Sequence, residues 1–264
     1  MGSILNDEKV VLIYSFHIGA PSVVGGNLAS IFEVPHMKGV FGEFYTNSAK
    51  INIQKKFIRS VSGEKFYFPC SRHCDQLMKL VFDNVQSKVL YYGSDLKSLH
   101  KSSNDFNSSS VKVFHITFLG RHEKEMGVNF FLKLIEILNN NNKYSYKFNL
   151  VGQSGKLTDR INKFADNKSF NLNIYTSVSH EFKNKILCNS DFLIVPSLNE
   201  RACFGLAIVE GIASRNIVLA RNIGGHKEAA LNNNDFLFDR ESTPDMIAYK
   251  VEKLCKEINQ KKIE

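Results

Sequence analysis

The chain contains no tryptophan and only five prolines, and its apolar residues never form a run long enough to cross a membrane. A membrane-spanning helix needs about 20 consecutive, mostly apolar residues, so we expect none. The amino terminus lacks the charged, apolar and small-residue order of a secretory signal peptide. We therefore expect a cytoplasmic protein, with at most a peripheral contact on the inner face of the membrane.

Cysteines are few, odd in number and widely spaced, which favours reduced thiols over a disulfide framework. Cys70 and Cys74, with His73 between them, have a spacing that suggests a metal site. Zinc sites usually combine two such ligand pairs, and no second pair follows in the sequence. We therefore expect no metal and no cofactor.

Acidic residues are outnumbered by basic ones, which gives a formal net charge of +8. Such a balance favours anionic partners such as a nucleotide, an acidic lipid surface or nucleic acid. The lysines are scattered, and no recognised nucleic-acid motif occurs, so a solvated basic surface is favoured over a nucleic-acid binder. Lys55, Lys56 and Arg59, beside Phe57 and Ile58, form a candidate amphipathic patch for a membrane surface.

The most informative stretch extends from residue 191 to residue 211. Phe192 to Val195 is a continuous apolar run ended by Pro196, as expected for a strand buried on both faces of a parallel sheet. Pro196 ends strand pairing, so Ser197 to Cys203 are predicted to be a loop. The strand thus leads into a polar connection that lies at its carboxyl end.

A helix is predicted to begin at Phe204-Gly205-Leu206. Gly205 lets the backbone approach a ligand, and the free amides of a helix start favour a phosphate. Glu210 lies about a turn and a half inside this helix, where its carboxylate can accept hydrogen bonds from ribose hydroxyls. On spacing alone, a solvated helix glutamate is an equally good interpretation.

A second strand and loop favours a ligand site. Val113 to Leu119 reads as a buried strand that ends in Gly120-Arg121. Ligands of open α/β sheets bind at the carboxyl ends of strands, and a guanidinium suits a diphosphate. A helix is predicted from Gly127, with one apolar face formed by Phe131, Leu134, Ile135 and Leu138.

These landmarks together resemble the retaining glycosyltransferases of family four, which have the two-domain GT-B fold. The resemblance covers roughly residue 10 to the carboxyl terminus. Several ordered landmarks are more specific than one glycine motif. They are FLGRHEKEMG from Phe118, FNLVGQSG from Phe148, NSDFLIVPS from Asn189, FGLAIVEG from Phe204 and NIGGHKEAA from Asn222.

The resemblance implies an α/β fold with an incomplete amino-terminal Rossmann-like domain and a carboxyl-terminal Rossmann-like domain that binds a nucleotide sugar. It implies that Arg121, beside Gly120, holds the donor diphosphate. The turn from Phe204 through Gly205 to Leu206 is implied to meet the phosphates and the donor sugar, and Glu210 to hold the ribose.

Two further positions follow from the same resemblance. The strand-end turn at Gly152 is implied to shape the donor pocket, and Val178 to flank the base. Family members transfer a sugar with retention and without a metal, so Arg121, Lys124 and the helix amides are implied to stabilise the leaving phosphate.

The sequence departs from the family at the positions that carry the chemistry. Met126 occupies the place of a lysine, and the nearest lysine is Lys124. Ala202 occupies the place of the first of two glutamates, for which Glu200 is the candidate replacement. A thioether cannot neutralise a phosphate, so a degenerate copy of the enzyme is an alternative.

A third departure lies in the amino-terminal part. Many members place a histidine after a strand to contact the donor sugar, where this chain has Phe41 or Gly42. His36 comes too early to be matched to it. The part before Ser110 also has fewer strands than a full domain of the family.

We therefore predict two domains, at residues 1–110 and 111–264. The first is expected to be a partial domain, either because the chain is a fragment or because a partner chain completes its sheet. In the first domain, strands are expected over Lys9–Phe16, Pro35–Phe41 and Lys88–Tyr92, and a further strand is expected to end at Pro69. Helices are expected over Ser22–Phe32 and Arg72–Asp83, and Ser71 is expected to cap the second of them.

The predicted function is transfer of a sugar from a nucleotide-sugar donor to a glycan or lipid-linked acceptor, with retention, in surface-polysaccharide assembly. The alternative is a degenerate or truncated homologue without catalysis, or a subunit that needs a partner. A basic nucleic-acid binder is a third interpretation, which predicts salt-sensitive binding.

Overall fold

The computed structural model describes residues 9–16, 18–41, 66–82, 85–94, 112–166, 170–200 and 202–260. The chain divides into two compact units. One comprises Met1–Tyr92 with Arg201–Phe204, and the other comprises Gly93–Glu200 with Gly205–Glu264. The predicted boundary near Ser110 lies outside the described residues.

The first unit contains a parallel sheet of four strands in the order β1-β2-β3-β4. Its strands are β1 (Ile13–Ser15), β2 (His36–Val40), β3 (Phe66–Pro69) and β4 (Gln86–Ser87). Its helices are α1 (Ala20–Phe32) and α2 (Arg72–Val81). The predicted cap of α2 is confirmed, because the Ser71 hydroxyl oxygen accepts a hydrogen bond of 2.9 Å from the backbone N–H of Cys74.

One strand of this unit was predicted wrongly. The apolar run Lys88–Tyr92 is not a strand, and the residues that pair with β3 are Gln86 and Ser87. The amides of Lys88 and Leu90 still donate to the carbonyl oxygens of Tyr67 and Pro69. The chain therefore continues along β3 by one-sided hydrogen bonds, without the reciprocal pairing that defines a strand.

The second unit contains a parallel sheet of six strands in the order β10-β9-β8-β5-β6-β7. Both buried strands predicted for this unit are confirmed. The strands are β5 (Val113–Leu119), β6 (Ser145–Gly152), β7 (Leu172–Thr176), β8 (Phe192–Val195), β9 (Ile217–Arg221) and β10 (Leu237–Phe238).

Helices connect these parallel strands, as the geometry of parallel pairing requires. They are α3 (Val128–Asn141), α4 (Thr158–Ala165), α5 (His180–Cys188), α6 (Leu206–Ala213), α7 (His226–Ala229) and α8 (Pro244–Gln260). Single 3-10 turns lie at Lys124–Met126 and Asn234–Phe236. The core packs β5, β6 and β8 against α3 and α8, and it buries the predicted apolar face of α3 completely.

The sequence prediction for α6 needs a small correction. The helix begins at Leu206, not Phe204, because Gly205 adopts φ = 112° and ends the preceding loop as the N-cap. Among the described residues, no helix combines the length and apolar character needed to traverse a bilayer.

Candidate functional site

The strand order of the second unit defines where a ligand can enter. β5 is the first strand of this sheet in the sequence; β6 lies on one side of it and β8 on the other. The connections therefore leave in opposite directions from the β5–β8 pair, which is the topological switch point of the sheet. Ligands of open parallel sheets bind at the carboxyl ends of the strands at this point. The loops that begin at Gly120 and Pro196 lie there.

The loop after β5 is fixed against the end of β6. The amide of Gly120 donates to Val151 O, and the amide of His122 donates to Gln153 O, each at 2.9 Å. A Cβ atom at Gly152 would lie 1.9 Å from the carbonyl oxygen of Gly120. Only glycine therefore fits at position 152, and the two strand ends meet in direct backbone contact.

The two cationic side chains predicted for the site lie on this loop. Arg121 follows Gly120 directly and is exposed. Lys124 is the first residue of the 3-10 turn and is also exposed. Both are thus accessible to an anionic ligand at the switch point.

The loops after β5 and β8 are joined to each other. Glu125 O accepts hydrogen bonds from the amide of Leu198 at 2.7 Å and from the Ser197 hydroxyl at 3.1 Å. Gly127 has φ = 81°, and a Cβ atom there would lie 2.1 Å from Pro196 O. The two connections at the switch point consequently form one hydrogen-bonded framework.

The structure explains why a methionine stands at position 126, where the family pattern has a lysine. Its side chain is partly buried and packs against the apolar core of the second unit. The position that carries a lysine in the family pattern thus contributes to the core in this chain, and Lys124 is the nearby cation on the same loop.

Glu210 lies in the second turn of α6 and is buried, with 7% of its surface exposed. Its Oε1 atom accepts a hydrogen bond of 2.6 Å from Lys183 Nζ on α5 and one of 3.5 Å from the Ser94 hydroxyl. A buried carboxylate needs such compensation. Lys183 therefore pairs with Glu210 inside the protein and fixes the orientation of its carboxylate.

His226 is a further candidate site residue, which the sequence analysis did not identify. Its ring is buried, and its Cδ2 atom would lie 3.0 Å from a Cβ atom added at Gly205. Its Nδ1 lies 2.8 Å from Arg221 O, a contact in which Nδ1 must donate. The motif NIGGHKEAA contains this histidine, but nothing in the spacing of the motif indicated that His226 lies beside Gly205.

Glu200 has an exposed side chain, with 63% of its surface accessible, and forms an ion pair with Arg240.

Val178 is half-buried and follows Ser177, whose amide donates to Gly152 O at 3.1 Å. Val178 thus follows a residue that is hydrogen-bonded to the end of β6, and its role beside the base stays a prediction.

Phe204 belongs to the first unit. Its buried ring lies 5.8 Å from that of Tyr91 and 6.4 Å from that of Tyr92, between ring centroids. The side chain is therefore part of an aromatic cluster of the first unit, and its predicted role at the phosphates stays a prediction. Phe41 belongs to the same cluster, stacked at 4.8 Å on Tyr92.

Gly42 lies outside the described residues, as do the basic residues 55, 56 and 59.

His36 makes a different contact. Its Nε2 lies 2.8 Å from the Ser15 hydroxyl, which donates to Pro21 O. Burial, and secondarily the charge of Lys38, lowers the pKa of His36 from 6.5 to about 4. The serine is a structural hydrogen-bonding partner, since its proton is already donated to a carbonyl.

Comparison with known proteins identifies the family. The model of the glycosyl transferases group 1 matches residues 101–263. The chain belongs to this family. Its switch-point loops, the glycine at 152 and the buried Glu210 all lie within the residues that this model matches.

Individual relatives agree with this assignment. The chain is 23% identical over 259 residues to the uncharacterized glycosyltransferase MJ1178 of Methanocaldococcus jannaschii, covering 94% of this chain and 66% of that protein. It thus spans just under two thirds of the length of that relative.

Solved structures share the fold. Anabaena Alr3699/HepE in complex with UDP and glucose superposes with a TM-score of 0.73 and 17% identity, over 95% of this chain and 69% of that one. Sucrose-phosphate synthase from Thermosynechococcus elongatus superposes with a TM-score of 0.71 and 14% identity, over 93% and 64%. The expected α/β fold of the GT-B type is confirmed.

Proposed function

We propose that this protein is a glycosyltransferase that transfers a sugar from a nucleotide-sugar donor. The observation that carries the proposal is the placement of Arg121, the start of α6 and buried Glu210 at the carboxyl edge of one parallel sheet. A cation, free helix amides and a carboxylate are complementary to a diphosphate and a ribose. Family membership supports the same reaction class.

The donor site uses each group for a distinct part of the ligand. Arg121 and Lys124 bind the diphosphate, and the amides of the first turn of α6 bind its distal phosphate. Glu210 binds the ribose through Oε2, since Lys183 and Ser94 both contact Oε1. Val178 flanks the base beside the end of β6.

A uridine nucleotide is the first donor to test. The Anabaena protein was solved with UDP, with UDP and glucose, and with UDP-glucose. Its identity to this chain is 16–18% in those comparisons, so the base and the sugar of the present donor are matters for experiment.

The chemistry that fits these groups is metal-independent transfer with retention. The bond between the anomeric carbon and the phosphate oxygen breaks, and positive charge develops on the sugar. Arg121, Lys124 and the helix amides stabilise the departing diphosphate. The acceptor hydroxyl forms the new bond on the same face, and its proton passes to the leaving phosphate oxygen.

The proposed acceptor is a glycan or a lipid-linked sugar, and the proposed setting is surface-polysaccharide assembly, with a peripheral contact to the membrane. The resemblance to family four supports this choice, and the net charge of +8 suits an anionic surface.

The test is release of nucleoside diphosphate from a panel of nucleotide sugars, followed by NMR of the glycosylated product. We expect release from one donor class and the donor's own anomeric configuration in the product. Glu200→Gln is expected to reduce turnover strongly if Glu200 replaces the family glutamate at Ala202. An inverted product contradicts retention, and an unchanged rate removes Glu200 from the mechanism.

A non-catalytic homologue is the second candidate. Family membership does not favour it over an enzyme. It is kept as a candidate because Met126 packs into the core and Phe204 into an aromatic cluster, away from a donor role for these two side chains. This candidate predicts nucleotide binding without release of product from any donor.

A further inference from the structure

Three cysteine side chains converge in the first unit. Cys70 directly follows β3, Cys74 lies in the first turn of α2, and Cys203 comes from the segment Arg201–Phe204. Their Sγ atoms all lie within 4.8 Å of one another. Their exposed fractions are 1%, 0% and 6%. We name these residues the cysteine cluster.

We propose that the cysteine cluster binds one soft divalent cation, zinc being the commonest, through three sulfur ligands. Zinc–sulfur bonds are about 2.3 Å long, which places the sulfurs of one zinc site about 3.8 to 4.0 Å apart. The observed limit of 4.8 Å is compatible with this geometry after shifts of a few tenths of an ångström. All three pairs are close, as a metal requires.

The surrounding backbone holds two of the ligands in place. The amide of Cys70 donates to Val40 O at 3.1 Å, and the Cys74 thiol donates to the same oxygen at 3.4 Å. The amide of Cys74 donates to the Ser71 hydroxyl oxygen at 2.9 Å. Strand β2, the end of β3 and the start of α2 therefore orient Cys70 and Cys74 through contacts that do not involve Cys203.

The binding reaction balances as the replacement of three protons by one cation. Three thiols lose their protons to solvent, and the metal gains three thiolate ligands, with water or the carbonyl oxygen of Val40 in the fourth position. Metal affinity is consequently pH-dependent, and each metal bound releases up to three protons. The bound cation ties residues 202–204 to the end of β3.

A disulfide explains the cluster less well. A disulfide uses two sulfurs and leaves the third without a role, whereas the three sulfurs here are mutually close. Redox-active cysteines are accessible and have a lowered pKa. These thiols are buried and so lack that accessibility.

The sequence could not have predicted this site. Cys70 and Cys74 are neighbours along the chain, but the third ligand lies far away in the loop before α6. The expectation of no metal rested on the missing second ligand pair, and folding supplies a single distant ligand.

The test is metal titration of the full chain after removal of metal with a chelator. Cobalt(II) reports sulfur ligation through sulfur-to-metal charge-transfer absorption, zinc competes for the same site, and native mass spectrometry gives the stoichiometry. We expect one metal per chain, displacement of cobalt by zinc, and release of up to three protons.

Variants then separate ligation from folding. Cys203→Ala should lower the affinity for cobalt at least about tenfold, because loss of even a hydrogen-bonding partner of a metal ligand costs about 10- to 100-fold. Cys203→His, which supplies an imidazole ligand, should retain binding with an altered spectrum. Cys188→Ser, a cysteine of α5 in the second unit, is the matched control and should bind as the wild type does.

Three results overturn the proposal. The first is a folded wild-type chain that binds no cobalt or zinc. The second is binding that Cys203→Ala leaves unchanged in a protein with a normal circular dichroism spectrum. The third is a purified chain lighter by two hydrogens with two unreactive cluster thiols, which indicates a disulfide.

Discussion

The carboxylate of Glu210 on α6 and the ammonium of Lys183 on α5 lie 2.6 Å apart, with only 9% and 16% of these side chains exposed. Removing one partner of a buried pair leaves the other charge uncompensated. We expect Lys183→Met to lower the free energy of unfolding by about 1–3 kcal/mol, and to cost much less in a Glu210→Gln background.

Urea unfolding of the single and double variants measures this coupling. Lys133→Met is the matched control, because its partner Glu136 is exposed and such pairs contribute about 0–1 kcal/mol. Additive losses from Lys183→Met and Glu210→Gln would show that the two groups do not interact energetically.

Arg121 is proposed to bind the donor diphosphate. Hydrogen bonds to charged groups contribute about 1.5–3 kcal/mol, so Arg121→Ala should weaken nucleotide binding about 10- to 100-fold. Isothermal titration with the preferred nucleotide measures the effect.

The control for Arg121 is Lys256→Ala. Lys256 lines the same cavity as Lys143, which precedes β6, and therefore lies near the amino edge of the sheet, opposite the proposed site. Equal losses of affinity in both variants indicate a general effect of charge and remove Arg121 from the site.

Gly152 allows the ends of β5 and β6 to touch. A methyl group at this position collides with the carbonyl oxygen of Gly120. Gly152→Ala should therefore lower stability by about 1–3 kcal/mol or more and disturb nucleotide binding.

Gly93→Ala is the matched substitution, since among the described residues no atom beyond its two chain neighbours lies within 4 Å of its added Cβ. The Tm values of the two variants and of the wild type are compared by thermal unfolding. A melt of Gly152→Ala that matches those of the wild type and Gly93→Ala contradicts the close contact.

Buried His36 predicts a pH dependence of stability. Its pKa falls from 6.5 to about 4 on folding, through burial and the charge of Lys38. Between these values the unfolded chain binds the proton and the folded chain does not, so stability is lost as the pH falls from about 6.5 to about 4.

His36→Gln should flatten this part of the stability profile, and His180→Gln, at an exposed position of α5, should leave it unchanged. Urea unfolding across this pH range provides the measurement. An identical slope for His36→Gln and the wild type shows that other groups cause the loss.

Part of the fold could be predicted from sequence because it depends on local pattern. The apolar runs Val113–Leu119 and Phe192–Val195 are ended by glycine and proline, and both strands have the predicted bounds. The Ser71 cap and the buried face of α3 follow from local hydrogen bonding and helical periodicity.

The rest depends on contacts between distant parts of the chain. Lys183 reads as a surface lysine of α5 until α6 brings Glu210 against it. His226 and Gly205 lie side by side although α6 and β9 separate them in the sequence. The strand predicted over Lys88–Tyr92 is instead β4 at Gln86–Ser87, because pairing with β3 sets its position. The roles of Lys124, Glu200 and Val178 remain predictions from resemblance.

The most direct test of the account is the Tm of the purified chain with and without a panel of nucleotides and nucleotide sugars. Ligand that binds only the folded state, at about 100 times its Kd, adds about 2.7 kcal/mol of stability. We predict a selective rise in Tm that Arg121→Ala and Glu210→Gln abolish. A cooperative melt that no nucleotide or nucleotide sugar shifts would contradict the proposed donor site.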